Sequence, residues 1–206
     1  MFLCLIGMFP SQSDLSVPSP AWSLALLQTG CFVSFIFNAR PATPLSSKPA
    51  RVPPLIEDAA IDKVQRHIDD ALSKGGRLLA GGHRLQGLFF EPTVVADATP
   101  DMLCAREETF GPLAPVFRFS TDDQAIQAAN DTEFGLASYF YSRDIGRIYK
   151  VAEALEYGMV GINVGILASE HVPFGGVKQS GLGREGSHHA MDDYLEIKYL
   201  CMGDIF

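Results

Sequence analysis

The chain has 206 residues, 47% hydrophobic and 19% charged, a balance that suits a soluble globular protein of one sizeable domain or two small ones and excludes disorder along its whole length. Lys and Arg number 16 against 24 Asp and Glu, a net charge of −8, which argues against a nucleic-acid or anionic-membrane surface because both need a cationic face; a small-molecule site is the default. Cys4, Cys31, Cys104 and Cys201 are widely spaced with no C-x-x-C pair, so they suggest neither a metal site nor a disulfide framework and suit a reducing compartment such as the cytoplasm.

Residues 1–52 differ from the remainder of the chain. Up to residue 50 the only charges are Asp14, Arg40 and Lys48, and this net of +1 leaves −9 for residues 51–206. Ala21 to Phe37 is a 17-residue apolar run interrupted by Ser23, Gln28, Thr29, Gly30 and Ser34. A membrane-spanning helix needs about 20 apolar residues, so a membrane anchor is the lesser alternative here. Met1 to Pro10 lacks the basic residues of a secretory signal, and the segment is not Arg-rich as a transit peptide would be. The Pro and Ser cluster from Pro41 to Pro54 reads as a linker, which sets residues 1–52 apart from residues 53–206 as a disordered or mistranslated segment.

Beyond Pro54 the pattern is regular. Ile61, Val64, Ile68 and Leu72 recur at helical spacing in a helix that Glu57 or Asp58 starts and Gly75 and Gly76 end. A short strand at 77–80, a turn at Gly81 and Gly82, and an extended segment over 89–96 come next, with Pro92 suiting an edge or a strand start. Strands are expected at 113–119 and 136–142 with a helix between them carrying Ala125, Ile126 and Ala129 on one face. A further helix carries the stripe Ile145, Ile148, Tyr149, Ala152 and Leu155 and stops at Gly158, and a strand at 159–163 succeeds it. The β-α-β-α-β order predicts an α/β fold, a parallel sheet with flanking helices, whose ligand sites tend to lie beyond the carboxyl ends of the strands. Tyr194 to Met202 alternates apolar and polar residues and reads as a terminal strand that completes a sheet or pairs with another copy.

Two loops carry the functional signal. Pro173 to Gly186, PFGGVKQSGLGREG, has five glycines in fourteen residues together with fixed charges, the composition of a backbone that approaches a ligand or another backbone closely. Its Gly181, Gly183 and Gly186 spell G-x-G-x-x-G, but no apolar strand leads into them, so the phosphate-binding reading is set aside. Glu107-Glu108-Thr109-Phe110-Gly111-Pro112 places two carboxylates before an aromatic ring and a turn; one carboxylate can face a site while the other faces solvent, and a solvated pair at a turn is the plain alternative.

Together EETFGPLAP at 107–115 and PFGGVKQSGLGREG at 173–186 resemble the aldehyde dehydrogenase superfamily, and NDTEFGLASYFYSRD, EALEYGMVGIN and YLEIKYLCMGD are similar to its succinate-semialdehyde dehydrogenases. The resemblance covers about residues 53 to 205. It implies the C-terminal part of the catalytic domain, a C-terminal strand used in oligomerisation, and NAD- or NADP-dependent oxidation of a small aldehyde, here succinate semialdehyde, by a cysteine thiolate. By matching position Glu108 would bind the nicotinamide ribose, Phe110 would contact the nicotinamide, and Phe174 would line the aldehyde pocket; Asn163 matches an asparagine to which no chemical role is given. Partners implied are the aldehyde and further copies through Tyr194 to Met202, with no nucleic acid and no metal, in the cytoplasm or, in a eukaryote, the mitochondrial matrix.

The departures are specific. The family's nucleophilic cysteine, general-base glutamate and Rossmann portion precede the region that matches, so no catalytic residue is assigned and this chain alone is expected to be inactive. Cys31 superficially resembles the catalytic setting, but only 22 residues separate it from Pro54, fewer than the family's spacing. Where succinate-semialdehyde dehydrogenases commonly hold the substrate carboxylate with a serine, this chain has Ala168, and Ser169 substitutes only if the loop shifts by one residue. The remaining alternatives are a non-catalytic protein that pairs with intact dehydrogenase subunits, a protein anchored through residues 21–37, and a truncated or mis-started gene product with no function.

Overall fold

A computed structural model describes residues 53–204 and, as backbone alone, residues 3–7 and 22–27. Nine strands and four α-helices are assigned: β1 Leu3–Gly7, β2 Trp22–Leu27, α1 Asp58–Ser73, β3 Arg77–Ala80, β4 Thr93–Ala98, α2 Leu103–Arg106, β5 Leu113–Phe119, α3 Asp122–Asn130, β6 Phe134–Gly135, β7 Ala137–Tyr141, α4 Ile145–Ala154, β8 Met159–Ile162 and β9 Val177–Lys178. A 3-10 helix over His188–Tyr194 closes the series.

Seven strands form one sheet in the order β3-β4-β5-β2-β1-β7-β8, and β6 pairs with β9 in a separate ribbon. Strands β4, β5, β1, β7 and β8 run parallel to one another, whereas β2 and β3 run against their neighbours, so the sheet is mixed rather than purely parallel. Residues 22–27 are therefore a strand between β1 and β5, not part of a membrane helix, while the rest of the Ala21 to Phe37 run lies outside the described residues. Among the described residues no helix is long and apolar enough to cross a membrane.

Period-two alternation divides the core. Val95, Leu113, Phe117 and Phe140 point to one face and pack with Ile61, Val64 and Ile68 of α1, Ile126 of α3 and Val151 of α4. Ala114, Ala137, Tyr139 and Met159 point to the other face, where Leu167 and Phe174 cover them. Among the described residues the helices thus pack on one face, and the long segment after β8 covers the other. Each large side chain buried in this way contributes about 1.5–3 kcal/mol.

Local chemistry explains the helix ends. Thr121 accepts from the Gln124 amide at 3.3 Å to start α3, and Asp144 accepts from the Arg147 amide at 2.7 Å to start α4. At the start of α1, Glu57 occupies the cap position but makes no side-chain cap bond. The stripes depart from the expected ones in two places. In α1 the buried face takes His67 and Ala71, leaving Leu72 at 38% exposure, and in α4 Ile145 and Tyr149 face outward while Val151 and Leu155 are buried. Helix α4 also ends at Ala154, before Gly158, whose Cα lies against the Gly175 carbonyl.

Among the described residues the expected terminal strand finds no partner within this chain. Leu195 takes extended angles, φ −120° and ψ 140°, but residues 195–204 pair with no described strand, and Leu195, Ile197, Tyr199 and Leu200 are exposed. An isolated extended segment has no ladder to satisfy its amides, so alternation alone does not make a strand.

Candidate functional site

The 107–112 loop enters β5 from its amino-terminal end. Glu107 turns toward α1, where its Oε2 lies 2.8 Å from Arg66 Nη2 and 3.4 Å from His67 Nε2. Thr109 is buried, its Oγ1 2.9 Å from His67 Nδ1. Glu108 is half-buried, and Phe110 is 59% exposed with φ at +48°. That backbone region is rare for a bulky side chain and persists only where the surroundings fix it. Of the two adjacent carboxylates, then, Glu107 belongs to the scaffold. Burial pushes the His67 pKa below its ordinary 6.5, against the opposing pull of Glu107, and the hydrogen bond from His67 holds Glu107 below the ordinary carboxylate value.

The second loop begins where β8 ends. Asn163 sits at φ +57°; its Nδ2 donates to the Ser142 carbonyl at 2.7 Å and its Oδ1 accepts from the Ser142 amide at 2.9 Å, which extends the β7–β8 ladder by one pair made with a side chain. The Tyr141 hydroxyl donates to the Val164 carbonyl at 3.2 Å. From this anchor residues 164–173 run over the surface with Ala168 and Ser169 exposed, and Ser169 Oγ accepts from the His171 amide at 3.4 Å. The segment then returns to the amino-terminal edge of the sheet. There Phe174 packs in the cluster holding Ala114, Ala137 and Met159, and its backbone exchanges two hydrogen bonds with Glu185, at 2.8 and 2.7 Å.

Both motif loops therefore gather at the amino-terminal edge of the parallel strands, not beyond their carboxyl ends as the β-α-β order predicts. The reason lies in the segment after β8, which doubles back along the helix-free face, so the PFGG backbone meets Gly135 and Gly158 just ahead of β7 and β8.

The loop's charges serve its own fold. Arg184 Nη1 donates to the carbonyls of Gly176 and Gly183 at 2.8 and 2.7 Å. Lys178 Nζ lies 2.5 Å from Glu156 Oε2 and donates to the carbonyls of Asn130 and Thr132 at 3.0 and 3.2 Å. At the G-x-G-x-x-G residues a carboxylate stands where a phosphate cradle would need an anion: a Cβ on Gly183 would lie 2.2 Å from Asp193 Oδ2, which also accepts from the Arg184 amide at 3.2 Å. This agrees with setting that fingerprint aside.

Comparison with known proteins decides the family. The profile of the aldehyde dehydrogenase family matches residues 39–200. The chain belongs to the aldehyde dehydrogenase family. It is 63% identical over 154 residues to the 3-sulfolactaldehyde dehydrogenase of Pseudomonas putida, covering 74% of this chain and 32% of that protein. It is 57% identical over 152 residues to the NADP(+) succinate-semialdehyde dehydrogenase of Escherichia coli K12, covering 73% and 32%. Among solved structures, succinate-semialdehyde dehydrogenase from Burkholderia pseudomallei superposes with a TM-score of 0.71 at 64% identity, over 72% of this chain and 31% of that one. The chain spans about a third of the length of these aldehyde dehydrogenases.

Set on this aldehyde dehydrogenase fold, Glu108, Phe110 and Phe174 lie at one sheet edge, while Ala168 and Ser169 lie on the exposed stretch between β8 and that edge. Reading the sequence missed two of the groups that hold them, His67 and Arg184, and gave Asn163 no chemical role. Asn163 alone carried a signal, since asparagine tolerates the left-handed region better than most residues. Of the cysteines, Cys104 is buried beside a cavity of about 50 Å³ and burial pushes its thiol up to about 11, which makes it inert; Cys201 is exposed; Cys31 lies outside the described residues. Among the described residues no cluster of three or more His, Cys, Asp or Glu is placed to hold a metal ion.

Proposed function

We propose that residues 53–204 form one wall of an aldehyde-oxidising site, in which Glu108 accepts hydrogen bonds from the nicotinamide ribose of NAD or NADP, Phe110 lies against the nicotinamide ring, and Phe174 lines the aldehyde pocket. The observation that carries this reading is the convergence of the two motif loops on one edge, with Glu107 committed to α1 and Phe110 presented outward. The residues fit such a group: a carboxylate is an acceptor suited to a diol, and an exposed aromatic face suits a flat heterocycle. NAD(P), when bound, supplies the hydride acceptor. This chain's residues bind and orient; neither Cys104, which is buried, nor Cys201, which lies in the unpaired terminal segment, is placed to act as the nucleophile.

The substrate is a small aldehyde bearing an anionic group at its far end, succinate semialdehyde being the preferred one. The relatives named for 3-sulfolactaldehyde, glutarate semialdehyde and succinate semialdehyde support this, since each of those aldehydes carries a sulfonate or carboxylate. With Ala168 unable to donate, the Ser169 hydroxyl is the group of this loop that meets the anion.

A chimera in which residues 53–204 replace the matching third of the E. coli enzyme tests these roles. Glu108→Gln and Phe110→Ala should each raise the cofactor KM about tenfold, the cost of a lost hydrogen bond to a charged group or of a lost stacking face; an unchanged KM in both refutes the cofactor assignment. Preference of the chimera for a neutral aldehyde over succinate semialdehyde would sink the substrate assignment. The 206-residue chain by itself should form no NAD(P)H above background, and a rate abolished by Cys31→Ala would overturn that expectation.

A second reading comes from the exposed Leu195, Ile197, Tyr199 and Leu200. Here Tyr194 to Met202 pairs as a strand with another dehydrogenase subunit, of this chain or an intact one. Size-exclusion chromatography with and without an intact subunit checks it, and a clean monomer in both counts against it.

A further inference from the structure

Helix α1 grips the 107–111 loop at three points. His67 is fully buried, with Nε2 3.4 Å from Glu107 Oε2 and Nδ1 2.9 Å from Thr109 Oγ1. One turn earlier Val64 presses on Gly111 so closely that a Cβ there would stand 2.2 Å from Val64 Cγ2. A carboxylate can only accept, so Nε2 carries the hydrogen; in the neutral ring Nδ1 is then the acceptor and the Thr109 hydroxyl donates to it. The two residues held in this way flank Glu108, and Phe110 comes next in its left-handed conformation.

From this geometry we propose that His67 is a positioning residue: through Glu107 and Thr109, with Val64 as backstop, it fixes the directions in which Glu108 and Phe110 leave the backbone and so presets the surface that receives the nicotinamide end of the dinucleotide. The proposal rests on the cofactor-binding roles proposed for Glu108 and Phe110. A histidine that merely filled core volume would be replaceable by any side chain of similar size. A positioning histidine is replaceable only by one that puts a polar atom in the same place. Asparagine reaches the position of Nδ1 and can keep the Thr109 bond, whereas leucine keeps the volume and no bond.

The experiment is heteronuclear NMR on the full chain without ligand. In the wild type, ring nitrogen shifts at neutral pH should show Nδ1 unprotonated and Nε2 protonated, and backbone order parameters at Glu108, Thr109 and Phe110 should lie near the rigid value of about 0.85. His67→Leu should drop those three below about 0.6 while Ile61 and Ile68 stay rigid, and His67→Asn should restore Thr109. A proton on Nδ1, a rigid loop in His67→Leu, or an Asn variant as loose as the Leu variant would each overturn the proposal. The tautomer measurement needs no variant, so the proposal stays testable if a substitution unfolds the chain. No cofactor is present, so these results bear on His67, while failure of the cofactor reading shows separately in the KM of the chimera.

Discussion

Asn163 offers a quantitative test of how the segment after β8 is anchored. Its side chain makes two hydrogen bonds to the Ser142 backbone, at 2.7 and 2.9 Å, from a residue at φ +57°. Each partly buried bond contributes about 0.5–1.5 kcal/mol, and moving an ordinary L-residue into the left-handed region costs roughly 1–2 kcal/mol, a penalty asparagine partly escapes. Asn163→Ala loses both bonds and meets the strain, for a total near 2–4 kcal/mol. Asn163→Gly loses the bonds without the strain but gains freedom in the unfolded chain, so it should fall about 1 kcal/mol short of the alanine loss. Asn163→Asp retains the acceptor for the Ser142 amide and should lose least. Urea unfolding of the full chain gives the ranking, expected as wild type, Asp, Gly, Ala in descending stability. If Ala proves as stable as Gly, or costs under about 0.5 kcal/mol, the paired bonds and the backbone strain do not anchor the loop.

Three further outcomes are expected from the described packing. Gly111→Ala should destabilise by about 1–3 kcal/mol through its clash with Val64, and adding Val64→Ala should recover most of that loss in a double-mutant cycle read by urea unfolding; additive losses would show that the two do not touch. In the folded chain iodoacetamide should modify Cys201 at pH 8 and spare Cys104, whose buried thiol is pushed up to about 11, until denaturant is added; mass spectrometry locates the label. Because His67 is held below its ordinary 6.5, the unfolded chain binds its proton more readily, so the stability it contributes is complete above about pH 6.5 and is lost as pH falls through the lower folded value. Urea midpoints measured from pH 7.5 to 5 should fall in the wild type and fall less in His67→Leu; equal slopes would place the acid sensitivity elsewhere.

How much of this was legible from the sequence depends on the range of each interaction. Helices α1 and α3 and strands β3, β5, β7 and β8 were readable within a residue or two because periodicity is a local property, while α4 was placed but ends at Ala154, short of the expected stop at Gly158. Strand β2 was not, since a run of apolar residues does not say which neighbours will accept its amides, and here they are β1 and β5. His67 fell outside the stripe read for α1 because its partners, Glu107 and Thr109, lie 40 and 42 residues away. The edge at which the motif loops gather was misjudged for a similar reason: the segment after β8 leaves at the carboxyl end of the sheet, and only its folded return brings Phe174 to the other end. Motif resemblance pointed to Glu108, Phe110 and Phe174, whereas His67, which holds the first loop, lies outside every motif.

The glycine-rich loop invites the view that its fixed charges meet a charged ligand, and the hydrogen bonds argue otherwise. Arg184 spends its Nη1 on two backbone carbonyls of the loop itself. Lys178 is tied to Glu156 and to two carbonyls at the end of α3. Redirecting either cation toward a substrate anion would leave those carbonyls without their donors and undo the fold that places Phe174. Under the proposed function, selectivity for an anionic aldehyde therefore comes from elsewhere: from the 164–173 stretch, where Ser169 retains a hydroxyl hydrogen to donate and His171 is paired with Glu170 at 3.3 Å, or from cations outside the described residues. In this arrangement the loop's lysine and arginine shape the fold that places Phe174, and under the proposed function the contacts to the substrate's charge come from the segment that Asn163 anchors or from cations outside the described residues.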